Sequence, residues 1–204
     1  MKRDLGPSIL KMRVFASLIA AVLILGSTVW SQTQPYADAG IGFNGLGYQS
    51  PYYDADVGVD WGDLGPIFVE AEVGADTANP KGLNSGVTVR THGLVMWRAT
   101  PHWRFGGGVH FAELLTSPFD NHATWPTLGA MFEQDWFRLN AQYLIPTGSD
   151  YTLNGPLFDM RMHLVKRFYL RERVGIYAYR DPNGVSPSHH VNAAVDFGIL
   201  YVFH

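Results

Sequence analysis

Apolar and polar residues alternate one for one in segment after segment of this chain, and that period of two confines it to a β fold. In Tyr53–Trp61, the side chains of Tyr53, Ala55, Val57, Val59 and Trp61 point one way, and those of Asp54, Asp56, Gly58 and Asp60 the other. After a tight Gly62–Pro66 turn, Ile67, Val69, Ala71, Val73 and Ala75 alternate with Phe68, Glu70, Glu72, Gly74 and Asp76. The pattern returns in Gly86–Arg98, Phe137–Ile145 and Val191–Phe203. Sustained helical periodicity is missing, and after Gln32 no apolar run is long enough for a spanning helix.

Carried through the gaps, the alternation predicts ten strands, at about 36–46, 52–61, 67–76, 86–98, 103–113, 123–133, 136–145, 157–165, 168–180 and 190–203. Each is close to the roughly 9–11 residues that a tilted membrane-spanning strand needs. Short connections at 62–66, 99–102, 134–135 and 166–167 alternate with longer ones near 47–51, 77–85, 114–122, 146–156 and 181–189. This is the plan of an all-β, antiparallel, up-and-down transmembrane barrel with short periplasmic turns, longer extracellular loops and both termini periplasmic; eight strands is the fallback count.

The aromatic residues are sorted. Trp61, Trp97, Trp103 and Trp136 stand at strand ends beside the short turns, with Phe132, Phe137, Phe168, Tyr169, Tyr201 and Phe203, as expected of a girdle at one membrane interface. Tyr52, Tyr53, Phe111, Trp125, Tyr143, Tyr177 and Tyr179 fall near the opposite ends. A secreted β-sandwich also alternates. It has no reason, however, to gather tryptophans at one end or to set like charges side by side on a face, as Asp54, Asp56 and Asp60 are, and Glu70 and Glu72.

Lys2, Arg3, Lys11 and Arg13 lead into Val14–Gly26, an apolar run of thirteen residues, and Val29 and Ser31 then take the −3 and −1 positions before Gln32. That layout predicts a secretory signal peptide over 1–31 and a barrel domain over 32–204. Thirteen residues fall short of the roughly 20 a membrane anchor requires. The chain has no cysteine, which excludes disulfides, thiolate metal sites and a lipid-anchored cysteine after the leader. A net charge of −3 gives no electrostatic case for nucleic acid as a partner.

Turning the polar faces inward predicts a lumen of two characters. Strands 1, 2, 3 and 10 contribute Asp38, Asp54, Asp56, Asp60, Glu70, Glu72 and Asp196. Strands 4, 5, 7, 8 and 9 contribute Arg90, Arg98, Arg104, Arg138, Arg161, Arg171 and Arg173, with His92, His110 and His163. Because closure pairs the last strand with the first, the acids are expected to form one wall with the bases facing it. Two consequences stay open: a salt-bridge network that fills the barrel, since buried charges must be paired, or a narrow channel passing small ions or solutes. A barrel of about this size is nearly filled by its own side chains, which favours the former. Two places strain the pattern. Arg171-Glu172-Arg173 sends Glu172 toward lipid unless a bulge or an interfacial position relieves it, and Gly106-Gly107-Gly108 marks a bend or close packing.

Asp196-Phe-Gly198-Ile-Leu-Tyr201-Val-Phe203 resembles the C-terminal assembly signal of bacterial outer-membrane barrels, which runs polar, any, Gly, any, any, aromatic, any, aromatic. The chain departs from it by ending on His204. With the leader and the girdle, the sequence resembles small OmpA/OmpX-like barrels of Gram-negative-type bacteria over its whole mature length. The resemblance implies an outer-membrane location and recognition by the barrel-insertion machinery, with lipid as surroundings, and brings no functional motif.

Asp181, Ser186, Ser188, His189 and His190 cluster around the last long connection, where a lip-site hydrolase acting on lipid A would carry its residues. A serine nucleophile needs a base within hydrogen-bond reach and a group to orient that base, which neighbours on a loop do not establish. Ser188–Asn192 is only faintly similar to the His/Ser arrangement of lipid A deacylases, and no role is carried over. His189 and His190 point to opposite faces in a strand, no metal-ligand spacing occurs, and no cofactor is implied. The expected function is a porin-like or structural outer-membrane barrel without catalysis. A lipid A-modifying hydrolase and a surface receptor or adhesin are the alternatives.

Overall fold

The computed structural model describes residues 33–44, 50–77, 88–114, 121–145, 155–180 and 189–203. The leader, Asp181, Ser186, Ser188 and His204 lie outside them. Ten strands are present: β1 (Thr33–Asn44), β2 (Ser50–Leu64), β3 (Ile67–Asp76), β4 (Thr88–Arg98), β5 (Trp103–Leu114), β6 (Asn121–Gln134), β7 (Phe137–Leu144), β8 (Gly155–Val165), β9 (Phe168–Arg180) and β10 (His189–Val202). They close into a single ring in chain order, with β10 returning to pair β1 antiparallel. Closure removes the unpaired sheet edges that an open sheet would expose.

The bounds depart from expectation mainly at the turns. β2 continues to Leu64, past the predicted end at 61, because its ladder with β3 shifts register between Trp61 and Leu64 and re-forms at Leu64–Ile67. The turn contracts to Gly65-Pro66, where Gly65 takes φ 66° at no steric cost. A second register shift lies between His163 and Val165, beside Lys166 at φ 51°.

Alternation sorts the side chains as it must when one face is closed off. Outward positions are apolar and exposed, among them Tyr53, Val57, Val95, Phe105, Val109, Leu128, Phe197 and Ile199. Inward positions are buried and largely charged, with Asp56 at 3% exposure and Arg171 at 1%. Glu172 keeps strict alternation: it pairs Phe197 on β10 and Met160 on β8 in unbroken register, so no bulge turns it inward. The triple glycine of β5 is close packing rather than a bend. Its register with β4 and β6 is continuous, and a Cβ on Gly106 or Gly108 would fall 2.1 Å from the Val95 carbonyl oxygen or 1.9 Å from that of Gly93.

Candidate functional site: the barrel interior

Register alone creates an electrostatic problem inside the barrel. Arg138 on β7 lies opposite Arg161 on β8, and Arg161 opposite Arg171 on β9, so three guanidiniums form one row across three strands. On the far side Asp60 of β2 lies opposite Glu70 of β3. Like charges directly opposite one another destabilise a sheet, so each row needs the other.

The two rows meet across the barrel. Arg138 Nη1 lies 2.5 Å from Asp60 Oδ2, and Arg161 reaches Asp60 Oδ2 and Glu70 Oε1, each at 3.1 Å. Arg161 also donates to the Tyr36 hydroxyl (3.2 Å), and its guanidinium sits 4.5 Å from the centre of that ring. The Tyr36 hydroxyl in turn donates to Glu72 Oε2 (2.8 Å), while His92 Nε2 is 2.9 Å from Glu70 Oε1. Arg171 joins Glu72 (2.6 Å), Asp159 (2.5 Å) and Asp38 (3.4 Å). Nearer the long connections, Arg173 holds Asp54, Asp56 (2.5 Å) and Asp196 (2.6 Å), and Arg90 holds Asp76 (3.1 Å) and Asp56 (3.3 Å).

Glycines make room for this packing. A Cβ on Gly58 would lie 2.3 Å from the Tyr36 ring, and one on Gly198 would lie 2.5 Å from Asp38 Oδ1. Gly198 pairs with Gly40, whose own Cβ would meet Asp54 Oδ1 at 2.6 Å. The glycine of the C-terminal motif thus opens a slot for carboxylates. In the same motif Asp196 is buried inward, and Tyr201 and Phe203 pack edge-on with ring centres 5.0 Å apart.

Toward the short turns the interior becomes apolar. Phe68, Leu94, Met96 and Met131 form a buried cluster. Arg104 and Arg138 flank Phe68 with guanidinium-to-ring distances of 5.1 and 5.2 Å, and both bond to Glu133. Toward the long connections the interior holds a cavity of about 260 Å³. One side of it is lined by Ala112, Trp125, Leu144 and Leu157, the other by Asp76, Arg90, Arg173 and Asp196, with His92 and His110 between. The two imidazoles stack at 4.8 Å, and His110 Nε2 lies 2.9 Å from Gln142 Oε1.

Several placements differ from expectation. His163 is exposed at the rim, with its Nε2 2.8 Å from the Lys166 carbonyl oxygen, rather than within the network; it stands beside the register shift before Val165–Phe168, at the turn end of the β8–β9 ladder. Arg98 is half-buried at the same end. The acids and bases are not cleanly divided, since Asp159 on β8 and Glu133 on β6 sit among the arginines. Tyr52 and Trp125 are buried inside the barrel, whereas Tyr53 and Tyr143 are exposed outside it. Trp97, Trp103 and Trp136 are exposed and Trp61 is half-buried, all at the short-turn end. His189 and His190 open β10, paired in register with Arg180 and Tyr179. Tyr36, Asp76, Glu133 and Asp159 belong to the network without having been singled out from sequence. Parity with Arg161 was the available signal for Asp159.

Among the described residues, ten carboxylates are paired inside (Asp38, Asp54, Asp56, Asp60, Glu70, Glu72, Asp76, Glu133, Asp159 and Asp196), against seven inward arginines. Oxygens of Asp38, Asp54 and Asp56 come within 4.8 Å of one another, but Arg171 and Arg173 lie among them and already supply the countercharge.

No family model matches this sequence, and no curated protein is similar to it. Solved structures offer limited likeness. One, from work on the in-meso crystallization of membrane proteins, is 13% identical over 82% of this chain and 84% of its own, with a TM-score of 0.44. A de novo designed transmembrane β-barrel is 12% identical over 83% of this chain and 95% of its own, at 0.36. The ferric-catecholate import receptor Fiu of E. coli K12 is 14% identical over 76% of this chain but only 28% of the receptor, at 0.30. Scores of this size fall below those of a shared fold, and the architecture rests on the barrel's own strand register.

Proposed function

We propose that this chain is an outer-membrane β-barrel of a Gram-negative-type envelope, similar in plan to the small OmpA/OmpX-like barrels, whose interior is closed by ion pairs and which serves a structural rather than a catalytic role. Membrane residence is supported by the inside-out polarity. Exposed Val57, Val95, Phe105, Leu128 and Phe197 face outward while buried arginines and carboxylates fill the interior, the reverse of a water-soluble barrel. The short turns would then face the periplasm, with the tryptophans beside them at the lipid interface.

One observation carries the closed reading. β7 and β2, like β8 and β3, stand five places apart in a ring of ten, so Arg138–Asp60 and Arg161–Glu70 are direct contacts between opposite walls. Contacts of this kind between opposite walls support a closed interior, as does the buried cluster of Phe68, Leu94, Met96 and Met131.

The test is conductance of the refolded chain from Gln32 onward in a planar bilayer. The parent barrel is expected to be silent and an Arg138→Ala/Arg161→Ala variant to show discrete steps. Reproducible steps in the parent that change with Arg90, Arg138 or Arg173 would replace the closed barrel with a small pore for ions or solutes.

A further inference from the structure

Glu172 is the acidic residue that the interior network does not absorb. It stands on β9 between Arg171 and Arg173, so alternation sends its side chain to the apolar outer face while theirs enter the barrel. Its partners in register are Phe197 on β10 and Met160 on β8, flanked along that face by Leu170, Val174, Ile199 and Phe158. No side chain in the patch offers a positive charge or a hydrogen-bond donor. Glu172 has no hydrogen bond or ion pair among the described residues, and among the described side chains the outward face of the ten strands carries no second charge.

Its depth makes that isolation costly. The rings of Phe168 and Tyr201 meet at 5.0 Å beside the short turn, and Glu172 lies four residues further along β9 than Phe168. Four residues rise roughly 13 Å along a strand, or about 10 Å along the membrane normal at a tilt of roughly 40°. In an apolar band about 25 Å tall, Glu172 is nearer the middle than the edge. Ionisable groups at such depth are rare and mark functional contacts with a partner.

The partner's chemistry follows by elimination. Lipid headgroups lie outside the apolar band, about 10 Å away. A second copy of this barrel has no basic group on the outward face of its described strands, so it would set glutamate against glutamate. A positive charge reaches this depth on a protein segment embedded in the same membrane, where a Lys or Arg stem runs through apolar surroundings to its charged head. Met160 and Phe197 suit such a contact, since methionine and aromatic residues are enriched at protein interfaces.

We propose that the outward face of β8–β10 around Glu172 docks a membrane-embedded protein segment carrying one basic side chain, which pairs with the Glu172 carboxylate. The docking surface rests on the membrane reading above, and the two are tested separately.

The chain has no cysteine, so Glu172→Cys gives the refolded chain from Gln32 a single thiol for an environment-sensitive dye in phosphatidylcholine vesicles. Emission typical of hydrocarbon is expected; emission typical of water would overturn the membrane placement and the docking surface with it. Docking is read as energy transfer from the tryptophans of the barrel to a dansyl-labelled helix of about 20 Leu and Ala residues with one central Lys, beside helices with Leu or Glu at that position. Saturable transfer above the Leu-helix level is expected with the Lys helix alone. Its apparent affinity should fall about 10-fold in Glu172→Leu, the loss of roughly one ion pair, and Glu172→Lys should switch the preference to the Glu helix. Equal transfer to all three helices, or transfer to the Lys helix unchanged in Glu172→Leu, would overturn the docking surface and leave the barrel in its membrane. So would self-association of the barrel that Glu172→Leu abolishes, which would make the occupant a second copy.

Discussion

Arg171 is the most deeply buried arginine among the described residues, and Arg171→Met tests whether the network holds the fold. The residue is 1% exposed; its guanidinium lies 2.6 Å from Glu72, 2.5 Å from Asp159 and 3.4 Å from Asp38. Methionine retains most of the volume and removes the charge, so the loss is electrostatic rather than a cavity. Removing one partner of a buried ion pair costs about 3–5 kcal/mol, because the remaining charge stays buried without compensation. Arg171 leaves four carboxylates within 4.0 Å of it, Asp38, Asp56, Glu72 and Asp159, of which Asp38 has no other arginine within 4.0 Å among the described residues. The expected cost is therefore at the upper end, about 5 kcal/mol. With a urea slope of roughly 2 kcal/mol per molar, the unfolding midpoint falls by about 2.5 M. The assay is urea unfolding of the barrel in detergent or bilayers, followed by tryptophan emission. Adding Asp159→Asn and Glu72→Gln to Arg171→Met should recover part of the loss, since the three residues form one network. A single variant within about 0.5 kcal/mol of the parent would refute the reasoning, that being the range of an ordinary surface substitution.

Three further outcomes follow from the same contacts. Gly58→Val drives a side chain into the Tyr36 ring, which a Cβ alone already approaches to 2.3 Å, and should cost about 1–3 kcal/mol of overpacking in the same unfolding assay. Glu70→Gln removes a carboxylate shared by Arg161 and His92 and leaves the arginine row under-compensated; its unfolding midpoint should fall while an exchange at exposed Leu128 to Ile leaves it unchanged. Raising salt from about 0.1 to 1 M shortens the Debye length from roughly 10 to 3 Å, which screens exposed charges but not buried ones, so the midpoint of the parent barrel should hardly move.

Strand positions and facing were legible in the sequence because both follow from one local rule. Alternation with a period of two places Asp54, Asp56 and Asp60 on one face whatever the rest of the chain does. Pairings were not legible. Arg138 and Asp60 are 78 residues apart, and Arg161 and Asp60 101 apart; their meeting depends on how far the strands slide past one another when the ring closes. Leu94, Met96 and Met131, which pack with Phe68, were hidden for a different reason. They are apolar residues on the face whose rule is to be polar, packed beside Gly106 and Gly108, where an added Cβ would meet Met96 Cα at 2.8 Å and Leu94 Cδ2 at 2.8 Å. Tyr36 and Trp125 show the same ambiguity: an aromatic residue in a membrane strand serves lipid or interior equally well, and parity near a strand end is easily lost. The chemistry of the long connections is a separate matter, since Asp181, Ser186 and Ser188 lie outside the described residues.

The central claim is that the barrel is inside-out, with its charges within and its apolar face in lipid. Single-tryptophan variants reconstituted into vesicles carrying lipid-attached quenchers at defined depths test it most directly. Trp97, Trp103 and Trp136 should be strongly quenched by quenchers near the headgroups, and Trp125 little quenched at any depth. Equal protection of all four, or folding to the same state in plain buffer without lipid or detergent, would contradict it.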